Sequence, residues 1–220
     1  MNKTTVALSL ATLLLAACGP RESREPASTA SHEPAGATPA RAASVPASPA
    51  APATSGFDRT LELQGITFRV TCPNASSLNK VTITPGGLEV DNTPVEREAD
   101  GTVVGAEVAD LDVDGSPEIY VYVQSAGSGS YGSLIAFSAN RRKSLSEIHL
   151  PPVADDPKAS EGYMGHDEFA VVGLTLVQRF PLYGEGDPNA RPSGKTRQLQ
   201  YKLEPGEAGW VLRRDKVVEY

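Results

Sequence analysis

From residue 57 onward hydrophobic residues recur at every second position, and no window sustains a 3.6-residue period. Side chains at i and i+2 share a face only in an extended chain, so the pattern excludes a helical bundle and demands strands. Leu61 and Leu63 alternate with polar residues, Gln64-Gly65 turns the chain, and Ile66, Phe68 and Val70 alternate on the return, which predicts a hairpin. Val81 and Ile83 predict a strand ended by Pro85-Gly86-Gly87. Leu88 and Val90 predict the next, broken by Asp91-Asn92-Thr93-Pro94. Asp100-Gly101 is a turn signal before Thr102-Val103-Val104 and Ala106-Glu107-Val108. Strands follow at 118–123 and 133–137, then a polar turn at 140–143 and a short strand between Leu145 and Leu150, ended by Pro151-Pro152. Residues 169–180 predict a hairpin around Gly173, and 183–196 a loop. Leu199, Tyr201 and Leu203 pair with Trp210-Val211-Leu212 across the turn at 205–209. Short strands with turns about every eight to twelve residues predict an all-β fold, an antiparallel β-sandwich or flattened barrel of about eight strands.

The first 56 residues have a different character. Lys3 and the short apolar run from Val6 to Ala17 have the form of a secretory signal, too short to span a bilayer as a mature helix. The run ends in Leu15-Ala16-Ala17-Cys18, which resembles the bacterial lipobox. That resemblance implies that Cys18 carries lipid and becomes the mature N-terminus, and Gly19 after it points to the outer membrane. Residues 18–56 are then the lipidated cysteine and a disordered linker of Pro, Ala, Ser and Thr, with no aromatic residue to nucleate a core. About 38 such residues reach on the order of 30–120 Å. The expected organisation is a lipoprotein signal at 1–17, the anchor and tether at 18–56, and one folded domain at 57–220, facing the periplasm. With Cys18 lipidated, Cys72 has no partner for an intrachain disulfide and is expected to be a small buried thiol.

Residues 57–220 carry 24 Asp+Glu against 16 Lys+Arg, a net charge of −8. This argues against nucleic acid and anionic membrane surfaces as partners of the domain, and it suits a cationic partner.

Asp110-Leu111-Asp112-Val113-Asp114-Gly115 has carboxylates at alternate positions before a glycine, the first half of a calcium loop. An EF-hand would place a bidentate Glu at position twelve, which is Val121 in a predicted strand, so that form is excluded. A shorter calcium loop and a plain Asp-Gly turn both remain, and the turn is preferred. Gly165-His166-Asp167-Glu168 holds one of three histidines, and no second histidine stands at zinc-ligand spacing. A loop-capping or interface role is expected for His166. Ser130 lacks the G-x-S-x-G frame of a hydrolase elbow. No catalytic residue, metal or cofactor is expected.

Between the strong strand signals at 118–123 and 133–137 lies Ser125-Ala126-Gly127-Ser128-Gly129-Ser130-Tyr131-Gly132. One large amphipathic ring among small residues fits a recognition tip at the end of a hairpin. The run Asp110–Tyr122, this loop through Ser133, Gly162–Phe169 and Arg197–Leu203 together resemble the periplasmic inhibitors of invertebrate-type (I-type) lysozyme, a likeness covering most of residues 58–214. The resemblance implies a small antiparallel β-sandwich whose protruding loop blocks the lysozyme cleft, with Ser128, Gly129, Ser130 and Tyr131 at the positions of the inhibitory segment. It also implies I-type lysozyme as partner, protection of peptidoglycan as the role, and allows a homodimer. Members of that family are typically soluble in the periplasm, whereas this chain has a lipobox and a long tether. Two other readings stay open: a calcium-binding β-module for glycan or protein built on Asp110, Asp112 and Asp114, and a structural envelope lipoprotein.

Overall fold

The computed structural model describes residues 56–207 and 209–220. The signal segment, Cys18 and the linker up to residue 55 lie outside the described residues. Among the described residues twelve strands follow one another: β1 (Phe57–Leu63), β2 (Ile66–Cys72), β3 (Leu78–Gly86), β4 (Val95–Asp100), β5 (Thr102–Ala109), β6 (Glu118–Gln124), β7 (Gly132–Ser138), β8 (Ser146–His149), β9 (Glu168–Val172), β10 (Thr175–Pro181), β11 (Thr196–Pro205) and β12 (Trp210–Glu219). The helix α1 (Pro157–Ser160) is a single turn before β9. No helix among the described residues is long and apolar enough to cross a membrane.

The strands form two sheets. β1 to β4 make a meander in sequence order, and the other eight make a nearly closed sheet in the order β5-β6-β7-β8-β12-β11-β10-β9. All pairings are antiparallel except a two-residue parallel contact, where Trp210 and Val211 of β12 lie beside Ile148 and His149 of β8. The edges β5 and β9 meet through a side chain. A single Glu107 oxygen accepts from the Tyr122 hydroxyl at 2.5 Å and from the Val171 N–H at 2.7 Å.

β6 is the central element. Six of its seven residues are buried, because it faces two cores at once. Ile119, Val121 and Val123 pack with Phe68, Val70, Val81 and Ile83 of the smaller sheet. Tyr120 and Tyr122 turn the other way, into the barrel, against Leu176, Phe180, Leu199 and Leu212. The period of two survives as alternation of aliphatic and aromatic residues. Each fully buried side chain of this size contributes about 1.5–3 kcal/mol.

The hairpin at 61–70 is present, turned by Gln64 (φ 53°) and Gly65 (φ 76°), both left-handed as a two-residue turn requires. The strand expected at Leu88 and Val90 is not formed. Asn92 accepts from the Leu88 N–H (2.9 Å) and donates to the Leu88 carbonyl (2.8 Å), taking the groups a ladder would use. The fourth strand is instead Val95–Asp100, whose charged alternation suits an exposed edge and buries only Ala99. Asp100-Gly101 turns the chain but makes no hairpin, since β4 and β5 belong to different sheets. Cys72 is a free buried thiol that donates to Asn74 Oδ1 at 3.1 Å.

Candidate functional site

The loop of residues 125–131 joins β6 to β7, two strands paired along their full length. Its base is closed where the Ser125 N–H donates to the Tyr131 carbonyl at 2.9 Å. Its tip is a tight turn in which the Ser130 N–H donates to the Gly127 carbonyl at 2.9 Å, with Ser130 at φ 44°. Ser128 is exposed and Tyr131 is 48% exposed. Gly129 is needed within the loop, since a Cβ there would lie 2.5 Å from Tyr131 Cε2. Gly127 has open space around it.

Two further loops hold this one from outside. The His166 N–H donates to the Gly129 carbonyl at 2.7 Å, and Asn189 Nδ2 donates to the Ser128 carbonyl at 2.7 Å. Asn189 is fixed in turn by the Tyr183 hydroxyl, which donates to its carbonyl at 2.8 Å. Gly165 lies so close that a Cβ on it would stand 2.2 Å from the Gly129 oxygen and 3.2 Å from Tyr131 Cδ1. Its φ of 88° is also one that L side chains avoid. The Tyr131 ring meets the edge of Tyr163 (centroids 5.7 Å, 79°), and Tyr163 meets Phe180 of the barrel core (4.6 Å, 64°). An exposed ring thus stands on a stack that reaches the core.

Asp167 fastens the assembly. It is 8% exposed and accepts from the Gly132 N–H (2.8 Å), the Tyr163 hydroxyl (2.7 Å) and Gln178 Nε2 (2.7 Å). Gln178 accepts from the Tyr201 hydroxyl at 2.8 Å. Burial outweighs these donors and holds the Asp167 carboxyl above its usual range. Burial also pushes the Tyr163 and Tyr201 phenols up, so both remain donors.

The four sequence-assigned residues Ser128, Gly129, Ser130 and Tyr131 therefore sit together at one tip. His166 lies beside them, but its contact is made by its backbone. Its ring lies 6.2 Å from the Tyr183 ring, and its Nε2 is buried without a hydrogen-bond partner, so it forms no Ser–His pair. Gly165, Asp167, Tyr163, Gln178 and Asn189 were not assigned a supporting role by the sequence. The Gly162–Phe169 segment stood out there, but pairing between remote loops leaves no local signal.

The acidic loop lies at the other end of β6. Asp110 Oδ1 and Asp112 Oδ1 accept the Asp114 N–H (3.1 and 3.3 Å), Asp110 Oδ2 accepts the Gly115 N–H (3.1 Å), and Asp114 Oδ1 accepts the Ser116 N–H (2.7 Å). This is the carboxylate-capped turn that the sequence predicts, with Val113 at φ 60° and Gly115 at φ 82°. Glu118 joins it from the first position of β6. It is 0% exposed, and its Oε2 accepts the Leu111 N–H at 2.9 Å. Burial first, then the nearby Asp112, Asp110 and Asp114 carboxylates, push Glu118 up to about 8 against the pull of the Leu111 bond.

No curated protein and no solved structure matches the chain. The family match spans β4 to α1 and contains the whole exposed loop, while the supporting segments 162–169 and 187–203 lie beyond it. Residues 93–160 match the family model described as periplasmic lysozyme inhibitor of I-type lysozyme, the same family that the sequence resembles.

Proposed function

We propose that this domain inhibits I-type lysozyme by inserting the Ser128–Tyr131 tip into the enzyme's cleft. The family match supports lysozyme inhibition in the periplasm as the general role. The observation that carries the loop assignment is its construction: an exposed serine and tyrosine on a narrow tip, braced by two other loops and an aromatic stack. A tip already held in one conformation loses little entropy on binding. A lysozyme cleft has two carboxyl groups at its centre, one protonated. Ser128 and Tyr131 hydroxyls both donate and accept, so they can bond a carboxyl in either state. The tyrosine ring fills a sugar subsite, and the acidic domain steers a basic enzyme toward it. Lipidation at Cys18 anchors the domain at the outer membrane, with the linker as tether.

The test is inhibition of I-type, chicken-type and goose-type lysozymes by the parent, Ser128→Ala and Tyr131→Ala. Both variants are expected to weaken inhibition of the I-type enzyme. An anchor contributing about 2 kcal/mol corresponds to roughly 30-fold for Tyr131→Ala. The stability loss for that variant stays below about 1.5 kcal/mol, because the side chain is already 48% exposed and its one aromatic partner is Tyr163. If Tyr131→Ala inhibits as strongly as the parent, the tip is not the inhibitory element.

A further inference from the structure

The acidic turn at 110–115 holds more than a turn requires. One carboxylate oxygen from each of Asp110, Asp112 and Glu118 lies within 4.8 Å of the others. Asp110 and Asp112 are half-buried and Glu118 is 0% exposed. The Glu118 Oε1 is buried with no hydrogen-bond partner. Either protonation state leaves that atom unsatisfied: a carboxylate there lacks a donor, and a carboxylic acid lacks an acceptor for its proton. Leaving such an atom buried costs about 1–3 kcal/mol or more, and with Glu118 ionised three converging carboxylates would repel one another. The turn's caps come from Asp110, Asp112 and Asp114 and from Glu118 Oε2, which leaves Glu118 Oε1 with no part in closing it.

We propose that Asp110, Asp112 and Glu118 form a calcium site that fastens the β5–β6 connection to the barrel. The donors are all carboxylate oxygens, with no imidazole or thiolate in the cluster, which selects a hard cation. A site of loop carboxylates suits calcium's larger and more variable coordination over the strict octahedron of magnesium. Spacing from Asp110 puts the glutamate at position nine of the loop, where β6 begins, so it reaches the site from the barrel interior. The β6 strand of seven residues separates the site from the Ser128–Tyr131 tip by roughly 20 Å. The cation therefore contributes to stability, and the proposal stands or falls independently of the inhibitory loop.

The test uses the purified protein dialysed against EGTA. Thermal unfolding is compared in 10 mM calcium chloride and in potassium chloride of matched ionic strength, alongside calorimetric titration with calcium chloride. A site with affinity in the range of about 0.1–1 mM, usual for extracytoplasmic modules, raises Tm by roughly 3–7 °C. One-site binding heat is expected, and both signals are expected to vanish in Asp112→Ala, which removes the ligand oxygens at a half-buried loop position and leaves the core intact. Glu118→Gln, tested beside it, is expected to weaken the response, since it keeps one neutral ligand oxygen and loses the charge. Absence of a Tm shift and of binding heat in the parent overturns the proposal. So does a parent-like calcium response in Asp112→Ala.

Discussion

Gly165→Ala tests how the tip is held without altering any residue that would touch a partner. The new methyl group would stand 2.2 Å from the Gly129 carbonyl oxygen, whereas ordinary contact begins at 3.4 Å. The two loops must therefore separate by roughly 1 Å, because the clash is with backbone on both sides. That opening breaks the 2.7 Å bond from the His166 N–H to the same oxygen, worth about 0.5–1.5 kcal/mol. A non-glycine residue at φ 88° adds about 1–2 kcal/mol. Together the local cost is about 1.5–3.5 kcal/mol, read in urea or thermal unfolding as a Tm lower by roughly 4–10 °C. The tip shifts with Gly129, so inhibition of I-type lysozyme, measured well below Tm, should weaken by about 10-fold or more. Gly127→Ala is the control for stability, since nothing lies within 4 Å of its Cβ position. Unchanged Tm and unchanged inhibition in Gly165→Ala would refute the account of loop bracing.

Asp167→Ala removes the acceptor of three donors and should cost about 3 kcal/mol or more by chemical unfolding, with weaker inhibition because Gly132 at the loop base is released. Folding raises the Asp167 pKa, so its contribution is fully present below the ordinary value of 3.8 and declines as pH rises through the raised value. The stability of the parent relative to Asp167→Asn should therefore fall across that window, as unfolding at stepped pH would show. Arg197 is 7% exposed and donates to the carbonyls of Lys158, Ala159 and Glu161 and to Glu219 Oε1. Arg197→Met should cost about 3–5 kcal/mol, and Arg197→Lys should restore only part, since an ammonium cannot span those acceptors; equilibrium unfolding of the pair decides it.

Strand content was legible in the order of residues alone, because a period of two has one structural meaning wherever one face is buried. The hairpins read at 61–70, 169–180 and 199–212 all form, because their turns carry their own glycine chemistry. The order of residues also placed the tip, since small residues between two strongly hydrophobic strands leave no other element to form. Tertiary structure alone decided the rest. The Val95–Asp100 strand has almost no apolar signal, and it forms because β3 offers it a ladder. The division into two sheets at Gly101 depends on which faces find each other, not on the turn residues. Gly165, Asp167 and Asn189 reach the tip from 30 or more positions away, so their spacing in the chain says nothing of their contact. Glu118 reads as one polar residue opening a strand. Only the folded barrel turns it inward beside Asp110 and Asp112, where water can no longer satisfy it.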